Sequence, residues 1–123
     1  MTAPDPTASA VAIDTAEVEL SVADALLRSV DATSLDAARH LLASVESELG
    51  RVASAADTDT DTARRLLSVR ADISGHLLAA GALETAGAPA DGVARMLRRA
   101  AGVARVAVAA EVQRRRAPVG VGP

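Results

Sequence analysis

The chain is 123 residues long, contains no cysteine and no Phe, Tyr or Trp, and has a formal net charge of −3. That length predicts one domain, large enough to fold around its own core without a metal or a disulfide. The missing cysteines exclude disulfides, thiol nucleophiles and thiolate metal sites, and the missing aromatics exclude the base-stacking modes that hold single-stranded nucleic acids.

Residues 1–12 are rich in Pro and Ala without periodicity and are expected to be a tail. They contain no basic n-region and carry Asp5, so a cytoplasmic protein without a secretory signal is expected. A first helix is predicted from Asp14, where Glu17 three residues later makes a capping-box-like start. Glu17, Ser21, Asp24, Arg28 and Asp31 form one polar stripe, and Val18, Leu20, Val22, Leu26, Leu27 and Val30 fill a broad opposite arc. Val18, Leu20 and Val22 alternate as a strand would, but the polar stripe continuing to Asp31 decides for helix.

Ser34 is the predicted N-cap of a second helix. Its seam is Leu35, Ala38, Leu42, Val45 and Leu49, stepping by three and four, and it ends at Gly50 or runs on toward Ala56. The run DTDTDT at 57–62 reads as a loop with caps. A third helix is predicted from Thr62 to Ala80, with Leu66, Val69, Ile73, Leu77 and Ala80 inward and Gly81 as the stop. Ala82 to Pro89 is expected to hold at most a short helical turn. A fourth helix is predicted from Ala90 to Arg116, with Val93, Met96, Leu97, Ala100, Val103, Ala104 and Ala107 inward. Arg114, Arg115 and Arg116 close it, where positive charge suits the helix dipole. The fold class is therefore all-α, a small four-helix bundle over 13–117 followed by a tail at 118–123, with a long helical hairpin or coiled coil as the alternative. No run of apolar residues approaches the roughly 18 needed to cross a bilayer.

Charge divides the chain. Residues 1–61 carry twelve acids and three Arg, a balance of −9, while residues 62–123 carry four acids and ten Arg, a balance of +6. The acidic half is expected to pack on the basic half, within one molecule or between copies; the other reading is that the basic half meets a polyanion.

The chemistry-bearing residues are few. His40 is expected on the exposed side of the second helix and His76 at the edge of the third helix's seam. An exposed His in mid-helix resembles a histidine phosphotransfer domain, whose His is followed by Leu, Lys and small residues. Here the sequence runs His40-Leu41-Leu42-Ala43-Ser44, with the Leu but not the Lys, and an ordinary surface histidine is the simpler reading. Asp57, Asp59 and Asp61 match the first three ligand positions of an EF-hand loop, but its Gly position is Thr62 and its bidentate Glu position is Ser68, so a solvated cap is expected. Arg70, close to the third helix's seam, is expected to pair with a carboxylate across the bundle. No Glu-x-x-His pair and no phosphate-loop, dinucleotide or zincin signature is present, so no catalytic residue, cofactor or metal is assigned.

The stretch 82–100, ALETAGAPADGVARMLRRA, resembles a helix-turn-helix. The resemblance implies a turn at Ala86-Gly87-Ala88, buried Val93 and Met96, and a recognition helix offering Arg95, Arg98 and Arg99 to DNA. It departs from the motif at Leu83, where a small residue is usual, and at Gly92. A second candidate surface is the C-terminal half of the fourth helix, where Val103, Val106, Val108 and Val112 widen the apolar arc beyond one bundle seam. The favoured function is a non-catalytic interaction or assembly module binding itself or another protein through that arc, with a small DNA-binding regulator as the alternative.

Overall fold

Pro6 opens the first helix, the position where a missing N–H costs nothing and the fixed φ suits the turn. The computed structural model describes residues 6–116 and consists of α1 (Pro6–Leu26), α2 (Ala32–Ala53), α3 (Thr60–Thr85) and α4 (Ala90–Arg116), with no strand among the described residues. The all-α fold class and the bounds of the fourth helix agree with expectation; the tail at 118–123 lies outside the described residues. The expected N-terminal tail does not hold for residues 6–12. They continue α1 because an Ala-rich run propagates helix readily and because Ser9, Ala12 and Ile13 are buried by it.

Two Asp residues start the next helices. Asp31, not Ser34, is the N-cap of α2: its carboxylate accepts from the Ser34 N–H at 2.8 Å and from the Ser34 hydroxyl at 2.9 Å. Asp59 caps α3 in the same way, accepting from the Thr62 N–H at 3.1 Å and hydroxyl at 2.6 Å. α2 runs past Gly50 to Ala53, and α3 runs through Gly81 to Thr85. A lone Gly weakens a helix by only ~1 kcal/mol, and tertiary contacts exceed that here. Leu83 packs on the core, and Glu84 on the extra turn of α3 pairs with Arg39 of α2. Gly87, with φ of 76°, is the residue that ends α3. Its N–H bonds the Glu84 carbonyl at 3.0 Å and the Ala88 N–H reaches back to Leu83 at 2.9 Å, a Schellman motif that needs a left-handed residue.

The helices form an up-down-up-down bundle. α1 touches α2 and α4, α3 touches α2 and α4, and α2 and α4 also meet across the diagonal, whereas α1 and α3 do not touch. The core is Leu, Val, Ile and Ala, with Leu42, Leu49, Ile73 and Leu97 fully buried. The seam predicted for α2 is buried throughout, and those of α3 and α4 are buried or half-buried.

α1 departs from its expected pattern. Its core face is Ile13, Ala16, Leu20, Ala23 and Leu27, while Val18 and Val22 are exposed. At 100° per residue, Val18 and Val22 each lie 200° from Leu20. The polar stripe is a flank turned toward α4, where Arg105 pairs with Asp24.

A candidate interaction surface on α3 and α4

Between the N-terminal half of α3 and the C-terminal half of α4 runs an open groove of about 470 Å³. Leu66 and Val69 form one wall, and Val103, Val106, Ala107 and Ala110 form the other, with Arg65 and Glu111 at the end. The groove exists because of side-chain size. α4 presents Ala107 and Ala110 toward α3, and two methyl groups leave room that a Leu would fill. Val106 stands on its lip, 73% exposed.

Of the four valines expected at this surface, the structure brings Val103 and Val106 together. Val108 is a correction: it is only 3% exposed. Position 108 lies eleven residues from Leu97 and so on the same helix face, where it packs toward Leu20 and Ser21 of α1. Val112 is half-buried against the core. The α3 wall was not legible as a site, because Leu66 and Val69 belong to a normal inward seam. The small residues of α4 opposite them were the available signal.

The ionisable groups near the groove are engaged. Glu111 is buried and accepts from Arg114 Nη2 at 2.9 Å and Nε at 3.2 Å. That bond is the main reason the Arg114 pKa lies above its ordinary value. Arg115 lies 3.5 Å from Asp57, which also accepts from the Ser9 hydroxyl at 3.2 Å. The aspartates that resembled an EF-hand start are thus used as a cap at Asp59 and as an ion-pair partner at Asp57.

Compared with known proteins, the chain matches no family model, no curated protein and no solved structure.

The second candidate surface begins beyond the α3–α4 turn. The turn sits where the helix-turn-helix resemblance placed it, Val93 is buried and Met96 half-buried. The helices do not match the motif, in which two short helices meet at a steep angle near the turn. α3 has 26 residues, α4 has 27, and they run antiparallel far enough for Leu66 to share a groove with Ala107. Arg95 and Arg99 are exposed, with no hydrogen bond or ion pair among the described residues. Arg98 donates to the Leu27 carbonyl at 3.1 Å, latching α4 to the end of α1. It shares an open cleft with Arg28 and Arg105.

His40 is exposed on α2 as expected. Its Nδ1 lies 2.8 Å from the Asp36 carbonyl and 3.7 Å from the Asp36 carboxylate. These neighbours do not supply the cation that the missing Lys would place beside a phosphate. His76 is half-buried at the edge of α3. Arg70 reaches across to Glu46 at 4.0 Å, as the expected cross-bundle pair, and its guanidinium lies over Gly50, where a Cβ would come within 2.8 Å of it.

Proposed function

We propose that this chain is a non-catalytic helical interaction module, and that the α3–α4 groove receives the apolar face of a helix from another protein or another copy. The observation that carries the reading is the groove itself, apolar along both walls with Val106 at its lip. An amphipathic helix docking there covers that surface, in the helix-in-groove mode. The ionisable residues around it are held in caps, in ion pairs and, at Arg65, by the Thr62 hydroxyl, which favours binding over chemistry. Photocrosslinking from an unnatural residue at position 106 in cells tests this. A discrete adduct at 106 that is absent from the exposed position Arg64, together with loss of a stoichiometric pull-down partner in Val106→Asp, is the expected result. No adduct above the Arg64 control overturns it.

A second reading, binding of duplex nucleic acid, is favoured by exposed Arg95 and Arg99 beside Arg98. Replacing all three (Arg95→Ala, Arg98→Ala, Arg99→Ala) leaves three phosphates without a cation and should reduce the log–log salt slope by about 2.7, at ~0.9 per phosphate. A parent chain that does not bind duplex DNA at low salt removes this reading.

A further inference from the structure

The first helix carries two apolar seams, and the bundle covers only one. The outer seam is Ala8, Val11, Thr15, Val18, Val22 and Ala25, all exposed, with Val11 at 55%, Val18 at 64% and Val22 at 46%. Its steps alternate three and four residues without a break, the spacing of a coiled-coil seam. It lies opposite the core seam of Ile13, Leu20 and Leu27, so α1 is apolar on both sides, a pattern suited to a helix lying between two layers. Among the described residues only one layer is supplied.

We propose that the second layer is α1 of another copy, packed antiparallel about a two-fold axis. Charge along the edges of the seam selects this occupant and its direction. Asp14 and Ser21 lie on one edge seven residues apart, and Arg28 follows seven residues further on, in the turn just past the end of α1; all three are exposed. With Val18 of one copy opposite Val22 of the other, Asp14 of each copy comes opposite Arg28 of its mate, and the two Ser21 residues meet near the axis. A parallel pair would instead set Asp14 against Glu19 of the second copy, twice. In the antiparallel pair the two Glu19 residues approach once, and each already has one carboxylate oxygen buried within its own protomer. The arrangement is isologous and closed, the commonest form of homodimer. It is separate from the α3–α4 groove, because α1 does not touch α3.

Sedimentation equilibrium and crosslinking on the full chain test it. The parent sediments as a dimer. Val18→Glu with Val22→Glu, both exposed positions, gives a monomer with unchanged helical circular dichroism, while Val106→Asp leaves the dimer intact. Asp14→Arg weakens the dimer about tenfold, and adding Arg28→Asp restores it. Because the chain has no cysteine, direction can be read from introduced thiols. Thr15→Cys combined with Ala25→Cys gives covalent dimers on oxidation. Thr15→Cys alone does not, since ten residues of helix place the two thiols about 15 Å apart. A parent that remains monomeric at millimolar concentration, crosslinking by Thr15→Cys alone, or a dimer broken by Val106→Asp and not by the α1 changes overturns the proposal. The crosslinks decide the outcome even if the Glu variants fail to fold.

Discussion

Single side chains decide where the helices of this protein begin and end. Asp31 is held as a carboxylate at a pKa of about 2, below its ordinary 3.8, chiefly by the Ser29 hydroxyl and then by the Ser34 N–H and hydroxyl. Thr62 lowers Asp59 in the same direction, first through its hydroxyl and then through its N–H. A folded-state pKa below the unfolded one means that the unfolded chain binds more protons in the window between them. The Asp31 cap therefore supports the fold fully above about pH 4 and is lost as pH falls toward 2, and the Asp59 cap weakens in the same direction. Asn caps a helix about as well as Asp but does not titrate. Asp31→Asn should hold its melting temperature near neutrality and lose less than the parent between pH 5 and pH 2.5, measured by circular dichroism; an equal loss would count against this cap. Two glycines make a second test of local conformation. Neither Gly81 nor Gly87 has an atom within 4 Å of where a Cβ would sit, but only Gly87 has positive φ. Gly81→Ala should raise stability by about 0.5–1 kcal/mol, and Gly87→Ala should lower it by about 1–2 kcal/mol, both read from urea unfolding.

At the scale of elements, α4 has three working faces: one toward the core, one toward α1, and one that borders the α3 groove at Val106 and carries Arg95 and Arg99 further toward the N-terminus, since position 106 lies eleven residues from Arg95 and seven from Arg99. Val106 and Val108 are two residues apart, and hence about 200° apart around the helix. Val108→Asp buries a charge with no partner and should cost about 3–5 kcal/mol, whereas Val106→Asp should change stability by no more than ~0.5 kcal/mol. Denaturant midpoints of the two variants check this. Equal effects would mean that α4 is rotated from the orientation described. On the other side of the bundle, Gly50 allows the Arg70 guanidinium to cross close over α2. That contact belongs to the packing of α2 on α3 and was not visible from the helical periodicity of either.

At the scale of the whole molecule, the charge division of the chain closes on itself. Arg105 pairs with Asp24, Arg70 with Glu46 and Arg115 with Asp57, each joining the basic second half to the acidic first. Arg39 with Glu84 crosses in the opposite sense. Packing within one molecule is thus one structural use of the asymmetry. These pairs guide the register of the helices more than they hold the fold. Arg105 is 55% exposed, and a pair of that kind is worth at most ~1 kcal/mol and is screened by salt. Arg105→Ala should therefore cost less than about 1 kcal/mol, and the cost should shrink further in 1 M NaCl. Leu42→Ala, in a fully buried position, should cost about 2–5 kcal/mol at any salt concentration. Urea titrations at two ionic strengths separate the two terms.

The sequence by itself determined the helical class, the bounds of α4 and the inward seams of α2, α3 and α4, because periodicity and turn chemistry are local properties. Of the two glycines it offered as a stop for α3, Gly81 from the seam and Gly87 from the helix-turn-helix resemblance, the structure uses Gly87, where positive φ answers a backbone need. Helix ends at Pro6, Asp31 and Thr85 required knowledge of what the flanking residues touch, since burial of Ser9 and Leu83 extends helices that propensity leaves undecided. The groove needed two helices at once. Leu66 and Val69 read as ordinary core residues, and only their placement opposite Ala107 and Ala110 leaves space between them. α1 was the least legible element for the same reason: with Val11, Val18 and Val22 on one side and Ile13, Leu20 and Leu27 on the other, its periodicity offers two apolar faces. Tertiary packing chose the Leu20 face for the core and left the Val18 face in solvent, because Leu buries more apolar area than Val.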